Sequence, residues 1–295
     1  MIEIEYWKYN PLHFQGLSIF SKRKTMKNLF TALMLVILSQ SVLANDDFPG
    51  RIKYPHVPYI ELDDLYKSLN SSIVIDARSN YEYETLRIKG AISIPLSLPS
   101  KKFEKKLLEL RTANPDKKLV FYCNGHTCMK SYKATLRSIK FVGLNNVYAY
   151  DAGIFDWAKK HPDEAELLKQ PLIDPEKLIS KADFKSHFIE AEKFIKTADS
   201  TVAILDIRER IERDGFYIFS GDEESISLNR NDEKKLNTYL NNTKKNNKTL
   251  YVYDLVGKQV RWFQYYLEDK NIKKYYFMKG GAEAFFDIPL NKLID

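Results

Sequence analysis

The chain has 295 residues, of which 44% are hydrophobic and 29% charged, a balance typical of globular domains rather than of a fibre or a disordered chain. This length is enough for two domains of ordinary size. The formal net charge is +7, but Lys and Arg residues stand beside Asp and Glu along the chain and form no basic stripe interleaved with aromatic residues. The composition therefore argues against nucleic acid as a partner.

A three-part pattern near the N-terminus predicts a secretory signal. A basic stretch at 21–28 precedes an apolar run at 29–38, and the small-residue pattern VLA ends at Ala44. The apolar run is too short to cross a bilayer, which takes about 20 residues; a short buried helix is the alternative. We expect residues 1–44 to be an upstream extension plus signal, with translation from Met26, cleavage after Ala44, export to the periplasm or the cell exterior, and no membrane association of the mature chain.

Short apolar runs alternate with helix-like stretches from residue 59 onward. The predicted buried strands of the first half are 73–75 and the apolar parts of 117–123 and 145–157. Between the last two, Tyr132, Leu136 and Ile139 fall on one helical face, and Gly143 follows at a C-terminal cap position. Alternating strands and helices predict an α/β fold with parallel pairing.

The second half repeats the order of the first. Equivalent positions are separated by 130, 131 and 128 residues, in the pairs Asp76 and Asp206, Cys123 and Asp254, and Gly153 and Gly281. This agreement indicates an internal duplication. We therefore predict one domain over 55–162, a proline-containing and partly extended linker over 163–176, and a second domain over 177–290, each with a central, mostly parallel sheet flanked by helices.

Two motifs of the first half resemble the signatures of the rhodanese family. The first signature is Asp-x-Arg followed by Glu-aromatic, Gly-Ala and Ile-Pro, and its matches are Asp76, Arg78, Glu82-Tyr83, Gly90-Ala91 and Ile94-Pro95. The second is a strand that ends in Cys, a six-residue loop and a helix, matched by CNGHTC at 123–128. A Gly-x-x-x-Trp motif then runs from Gly153 to Trp157.

The resemblance implies an exported tandem rhodanese in which the first domain is of the active type. Leu86-Arg87 replaces the Gly-His that the family often has, and Cys128 stands where its loop often ends in Arg, Thr or Ser. In the second domain, Asp254 takes the place of the nucleophile. A carboxylate cannot carry a persulfide, so we expect that domain to be inactive in sulfur transfer and treat it as a candidate surface for a protein partner.

Cys123 is the predicted nucleophile. A Cys at a strand end, followed by a short loop into a helix, faces backbone N–H groups and the positive helix end, and both favour the thiolate. The loop residues that we expect to bind substrate are Asn124, Gly125, His126, Thr127 and Cys128. Gly125 permits positive φ and Asn124 tolerates it, which would turn N–H groups inward as an anion cradle. Lys130 and Arg87 are candidate anion contacts.

The predicted reaction is a two-step sulfur transfer. Cys123 attacks the outer sulfur of a small sulfur-containing anion such as thiosulfate, becomes a persulfide, and passes the sulfur to a thiol or cyanide acceptor. No metal or organic cofactor is required. Phosphatase chemistry is not expected, because it needs an Arg after five loop residues and that position holds Met129.

Several residues have a second interpretation. Cys123 could be a core cysteine, and Cys128 either closes a disulfide with Cys123 or only occupies the helix start, so a non-catalytic binding or dithiol redox module is the alternative function. Two cysteines do not make a four-ligand zinc site, and His126 between them is too constrained to help; we favour field tuning over acid–base catalysis for His126. Asp76 and Arg78 recur as Asp206 and Arg208 in the half without a thiol, which predicts a structural ion pair or turn hydrogen bonds.

Overall fold

A computed structural model describes residues 47–292 of the chain. The signal and upstream extension predicted for residues 1–44 lie outside the described residues. From Gly50 onward the described residues belong to one compact unit. None of the helices between residues 47 and 292 combines the length and the apolarity that a membrane crossing requires.

Strands and helices alternate along the described chain. The strands are β1 (Tyr59–Ile60), β2 (Ser72–Asp76), β3 (Leu86–Ile88), β4 (Ile92–Ser93), β5 (Lys118–Tyr122), β6 (Val147–Tyr150), β7 (Ala165–Leu167), β8 (Gln170–Pro171), β9 (Phe188–Ile189), β10 (Val202–Asp206), β11 (Glu224–Ser225), β12 (Thr249–Tyr253) and β13 (Tyr275–Met278). The α-helices are Pro49–Lys53, Leu62–Lys67, Asn80–Thr85, Ser100–Ala113, Lys130–Val142, Gly153–Lys160, Lys181–Ser186, Ala191–Lys196, Arg210–Arg213, Glu233–Lys245 and Val260–Asp269. Short 3-10 helices cover Leu69–Ser71, Pro162–Glu164, Pro175–Lys177, Gly281–Phe285 and Leu290–Lys292.

Two five-stranded parallel sheets have the same strand order. The first reads β1-β6-β5-β2-β4, and the second, read from its other edge, is β9-β13-β12-β10-β11. The registers also agree, because Asp76 pairs with Tyr122 in the first sheet and Asp206 with Tyr253 in the second. The predicted α/β fold with parallel sheets flanked by helices is confirmed.

The central strands owe their position to apolar side chains on both faces. Leu119 and Phe121 of β5 and Leu250 and Val252 of β12 are fully buried on one face of their sheets. The alternate residues of the same strands, Val120, Tyr122, Tyr251 and Tyr253, are buried on the opposite face. Near-continuous burial of this kind is expected of strands in a parallel sheet covered on both sides. Because β5 and β12 are the central strands, Cys123 and Asp254, which directly follow them, lie at the middle of the carboxyl edge of their sheets.

The helix Lys130–Val142 covers one face of the first sheet and ends as predicted. Gly143 caps it with a left-handed φ of +73°. Tyr132 is fully buried, whereas Leu136 and Ile139 of the predicted face are half-buried. Small buried residues, Ser131, Ala134, Thr135 and Ser138, bring this helix close to the sheet.

A third, antiparallel sheet joins β3, β7 and β8. Its strand β7, Ala165–Leu167, lies in the segment 163–176 predicted as a linker, and it pairs with Leu86–Ile88. Leu172, in the same segment, is buried and donates its N–H to the carbonyl of Ala165 at 2.9 Å. Part of this segment is therefore fastened to the first half. The domain limits themselves stay a prediction.

Candidate functional site

Cys123 directly follows β5 at the carboxyl edge of the first sheet, as predicted. Its side chain is completely buried, and its S–H lies 3.1 Å from the carbonyl oxygen of Cys128 and 3.6 Å from Ser131 Oγ. Burial, followed by the hydrogen bond to Cys128, raises the pKa of the Cys123 thiol well above its ordinary value. The Ser131 N–H and hydroxyl oppose this rise without overcoming it, so the structure does not show the expected Cys123 thiolate held by loop amides.

The sulfur that the loop does stabilise as an anion belongs to Cys128. A hydrogen bond from the Cys123 thiol lowers the pKa of Cys128 to about 6, and the N–H groups of Lys130 and Asn124 add to this against the opposing effect of burial. Cys128 is partly exposed, and both thiols are reduced. We therefore expect the pair to carry one negative charge near neutral pH, on Cys128, while Cys123 keeps its proton.

A glycine outside the loop fixes the shape of the loop. Gly153 follows β6 with a φ of +73°, and a Cβ there would lie 2.4 Å from the nitrogen of Gly125. Only a residue without a side chain fits at this contact. Gly125 itself has a φ of +159°, close to the extended region, and Asn124 is not left-handed, so the predicted left-handed turn at these two residues is not what shapes the loop.

Asp76 and Arg78 form the buried ion pair that the repeat predicted. Arg78 Nε and Nη2 donate to the Asp76 carboxylate at 2.9 and 2.6 Å, and the Arg78 N–H donates to the same carboxylate at 2.9 Å. Arg208 and Asp206 repeat these contacts at 3.0, 2.8 and 3.0 Å. Arg78 also donates from Nη1 to Asn124 Oδ1 at 3.2 Å, which ties the ion pair to the cysteine loop.

Glu82 supports the loop and was missed as a functional residue in the sequence. Its carboxylate accepts hydrogen bonds from Asn124 Nδ2 and the Ser79 N–H, each at 3.0 Å, and lies 3.4 Å from Lys130 Nζ. Burial would raise the pKa of Glu82, but Arg78, Lys130 and these donors hold it below its ordinary value. The Ser79-x-x-Glu82 spacing of a capping box was the available signal.

The other predicted contacts have partners of their own. Lys130, at the start of its helix, pairs with Glu82. Arg87 lies in β3 and pairs with Glu166 and Glu84, so the structure gives the predicted anion contact no support. His126 and Thr127 remain at the surface of the loop, with His126 Nε2 at 2.7 Å from Asp156 Oδ2.

The loop after β12 is the counterpart of the cysteine loop, and it already holds an anion. The carboxylate of Asp254 is buried and accepts hydrogen bonds from the N–H groups of Gly257, Gln259 and Val260, the last at 3.1 Å. Burial raises the pKa of Asp254, and these N–H groups oppose the rise. A Cβ at Gly281 would lie 2.6 Å from the Asp254 carbonyl oxygen, which repeats the contact of Gly153 with the first loop.

Both loops open on one cleft, with a volume of about 1810 Å³. Its lining includes Thr127 and Cys128 from the first loop and Gly257, Lys258 and Gln259 from the second. Trp262 joins the two sides, because its ring stacks on Phe155 at 5.4 Å and lies 4.9 Å from the Arg78 guanidinium. No cluster of three or more His, Cys, Asp or Glu residues within residues 47–292 could hold a metal ion.

Curated proteins resemble part of this chain. Two relatives are called tRNA uridine(34) hydroxylase. One, from Escherichia coli O6:K15:H31 (strain 536 / UPEC), is 32% identical over 93 residues, which are 32% of this chain and 25% of that protein. The other, from Escherichia coli (strain K12 / DH10B), is 33% identical over 89 residues, 30% and 24% of the two chains. The chain thus spans about a quarter of the length of the curated relatives it matches.

The solved structures that resemble this chain align with it at low TM-scores. A thiosulfate sulfurtransferase from Pseudomonas aeruginosa is 18% identical with a TM-score of 0.33, over 80% of this chain and 46% of that one. An As-Sb reductase from Leishmania major is 23% identical with a TM-score of 0.34, over 43% and 99%. Neither likeness carries a functional argument.

The family described as Rhodanese-like domain matches residues 61–160, the segment that contains the ion pair, Glu82 and the cysteine loop. The chain therefore contains a rhodanese-like domain with Cys123 in its loop.

Proposed function

We propose that the chain is a sulfurtransferase that carries a sulfane sulfur as a persulfide on Cys123. One observation above all supports this proposal: the hydrogen-bonded pair of Cys123 and Cys128 lies at the carboxyl end of β5, beside the cleft, with a pKa of Cys128 of about 6. This pKa favours a thiolate at neutral pH next to a second thiol, inside a rhodanese-like domain.

The pair supplies both the base and the nucleophile. The Cys128 thiolate accepts the proton of the Cys123 thiol, and the resulting Cys123 thiolate attacks the outer sulfur of thiosulfate. The S–S bond of the donor breaks, and sulfite leaves with the electron pair. The persulfide on Cys123 then gives its outer sulfur to cyanide or a thiol, which restores the cysteine. Because Cys123 is fully buried, the proposed reaction requires the loop to open for both steps.

A second function, a dithiol redox module, is favoured by the contact between the same two residues. A persulfide formed on Cys123 would lie next to Cys128, which touches Cys123 in the structure. If Cys128 attacks the inner sulfur, the outer sulfur leaves as sulfide and a Cys123–Cys128 disulfide forms. The two thiols are then oxidised and the sulfane sulfur is reduced, so electrons balance.

Two cysteine variants separate these functions. We expect the purified protein to form thiocyanate from thiosulfate and cyanide, Cys123→Ser to abolish this, and Cys128→Ser to retain it at a lower rate. Mass spectrometry is expected to find one added sulfur atom on Cys123. If Cys128→Ser also abolishes turnover, and a disulfide forms in place of thiocyanate, the redox module is the correct function. If Cys123→Ser retains turnover and Cys128→Ser loses it, the assignment of Cys123 is wrong.

We further propose that residues 177–290 form a second rhodanese-like domain that is inactive in sulfur transfer. The common strand order and the position of Asp254 support this. We do not propose the hydroxylase activity named for the curated relatives, because only a quarter of their length is matched.

We also propose that the protein is exported, on the basis of the N-terminal sequence pattern. Cell fractionation and the mass of the mature chain test it, with cleavage after Ala44 as the expected result.

A further inference from the structure

Arg261 brings a positive charge from the second half to the shared cleft. It lies in the first turn of the helix Val260–Asp269, and its guanidinium carbon is 4.0 Å from the centre of the Phe155 ring. Phe155 belongs to the helix that begins at Gly153, the glycine that packs against the cysteine loop. Arg261 and Cys128 both line the cleft.

The Arg261 guanidinium lacks the partners that buried charges normally have. Across residues 47–292 it forms no ion pair, and its Nε is buried without a hydrogen-bond partner. Arg78 and Arg208, by contrast, are each paired with an aspartate, and Arg230 of the same cleft is paired with Glu84 at 2.6 Å. A partly buried cation without a partner is costly to keep, and such groups normally pair with an anion.

The surroundings of Arg261 hold it in place for such an anion. Phe155 lies against one face of the guanidinium, and Phe184 lies 5.8 Å from it. Stacking on aromatic rings leaves the edge of a guanidinium free to donate two parallel hydrogen bonds to an oxyanion. Lys258 adds positive charge to the cleft lining, whereas Lys130 there is paired with Glu82.

We propose that Arg261 binds the oxyanion group of the sulfur donor, so that the second half completes the donor site of the cysteine loop. This proposal rests on the proposed function, and it assigns the donor to the class of sulfur compounds that carry a sulfonate-like group, of which thiosulfate is the simplest. The half that lacks a thiol then has a direct part in the reaction, as the source of the cation that positions the donor.

An anion-protection experiment tests the site without turnover. Sulfate, at constant ionic strength, is expected to slow the alkylation of Cys128 by iodoacetamide, followed by mass spectrometry of the purified protein. In Arg261→Gln the sulfate concentration for half protection is expected to rise about tenfold, the effect of one charge-assisted hydrogen-bond pair. The KM for thiosulfate is expected to rise by about the same factor, with a smaller change in kcat.

Arg230→Gln is the matched control, because it removes an equal charge from the same cleft but one already paired with Glu84. We expect half protection by sulfate within about twofold of the unchanged protein. The proposal is overturned if sulfate gives no protection, if Arg261→Gln is protected as well as the unchanged protein, or if Arg230→Gln loses as much protection as Arg261→Gln. Should Arg261→Gln fail to fold, Arg261→Lys decides, with weaker protection expected because its ammonium lacks the planar fork.

Failure of this proposal and failure of the sulfurtransferase function have different signatures. If sulfate protection depends on Arg261 but the protein makes no thiocyanate, the anion site is supported and the sulfurtransferase function is refuted. If the protein makes thiocyanate and the KM for thiosulfate is unchanged in Arg261→Gln, the sulfurtransferase function is supported and the anion site is refuted.

Discussion

The thiol of Cys123 points at the carbonyl oxygen of Cys128, 3.1 Å away, and the sulfur of Cys128 in turn lies under the N–H groups of Asn124 and Lys130. The two cysteines are thus connected through both a side chain and the backbone of one short loop. This arrangement separates their acidities, because it lowers the pKa of the partly exposed Cys128 and raises that of the buried Cys123.

We expect the alkylation rate of Cys128 to rise through a pH of about 6 and then level off, because that is where its thiol loses its proton. Cys123→Ala removes the hydrogen bond that contributes most to the lowered pKa, so the midpoint is expected to move up toward the ordinary value of about 8.5. Iodoacetamide kinetics from about pH 4 to about pH 10, a range that brackets both values, measure the midpoint. An unchanged midpoint in Cys123→Ala would contradict the hydrogen-bonded pair.

Glu82→Gln is expected to destabilise the protein by about 1–3 kcal/mol near neutral pH, because the amide leaves charged and polar donors of the loop without their carboxylate. The folded pKa of Glu82 is lowered, so its contribution is present above its unfolded pKa and is lost as the pH falls through the folded value. Urea unfolding at several pH values measures the difference between the two proteins. That difference is expected to shrink toward acid pH, and a difference that grows there would refute the explanation.

Gly153→Ala is expected to disrupt the cysteine loop, because the new Cβ would lie 2.4 Å from the nitrogen of Gly125. The variant should lose thiocyanate formation and more than about 2 kcal/mol of stability. Gly143→Ala is a matched control: Gly143 has the same φ of +73°, but nothing lies within 4 Å of a Cβ there. It is expected to cost about 1 kcal/mol from backbone strain alone and to keep its activity. Equal effects of the two substitutions would mean that the loop contact is unimportant.

Asp254→Asn is expected to lower the free energy of unfolding by about 1–3 kcal/mol, because the amide nitrogen would face the N–H groups of Gly257 and Gln259. Asp222→Asn, at an exposed site of the same half, is expected to change it by less than about 0.5 kcal/mol. Thermal or urea unfolding of both variants provides the comparison. Equal stability of Asp254→Asn and Asp222→Asn would show that the second loop does not hold its carboxylate as described.

Features that depend on neighbouring residues could be predicted from the sequence. The strand at 73–75, the cap at Gly143 and the ion pair of Asp76 with Arg78 follow from local patterns and from the repeat, and each is present. Cys123 was also expected at the end of a strand, because an apolar run stops there.

Features that depend on the direction of individual groups could not be predicted. The N–H of Cys128 donates to the carbonyl of Gly125 at 2.8 Å, so it does not face Cys123, and no sequence pattern states this. Glu82 acts where a helix, a loop and Lys130 meet. The pairing of Arg87 with Glu166 requires β7 to lie beside β3, in a segment expected to be a linker.

The carboxylate of Asp254 is part of the chain and is not transferred, so the two walls of the cleft have different parts in the proposed reaction. In one wall the loop amides are already occupied by the Asp254 carboxylate. The opposite wall gains an atom when the donor is cleaved and loses it to the acceptor. The proposed reaction therefore lets each chain store a single sulfur at a time, in the loop 123–128.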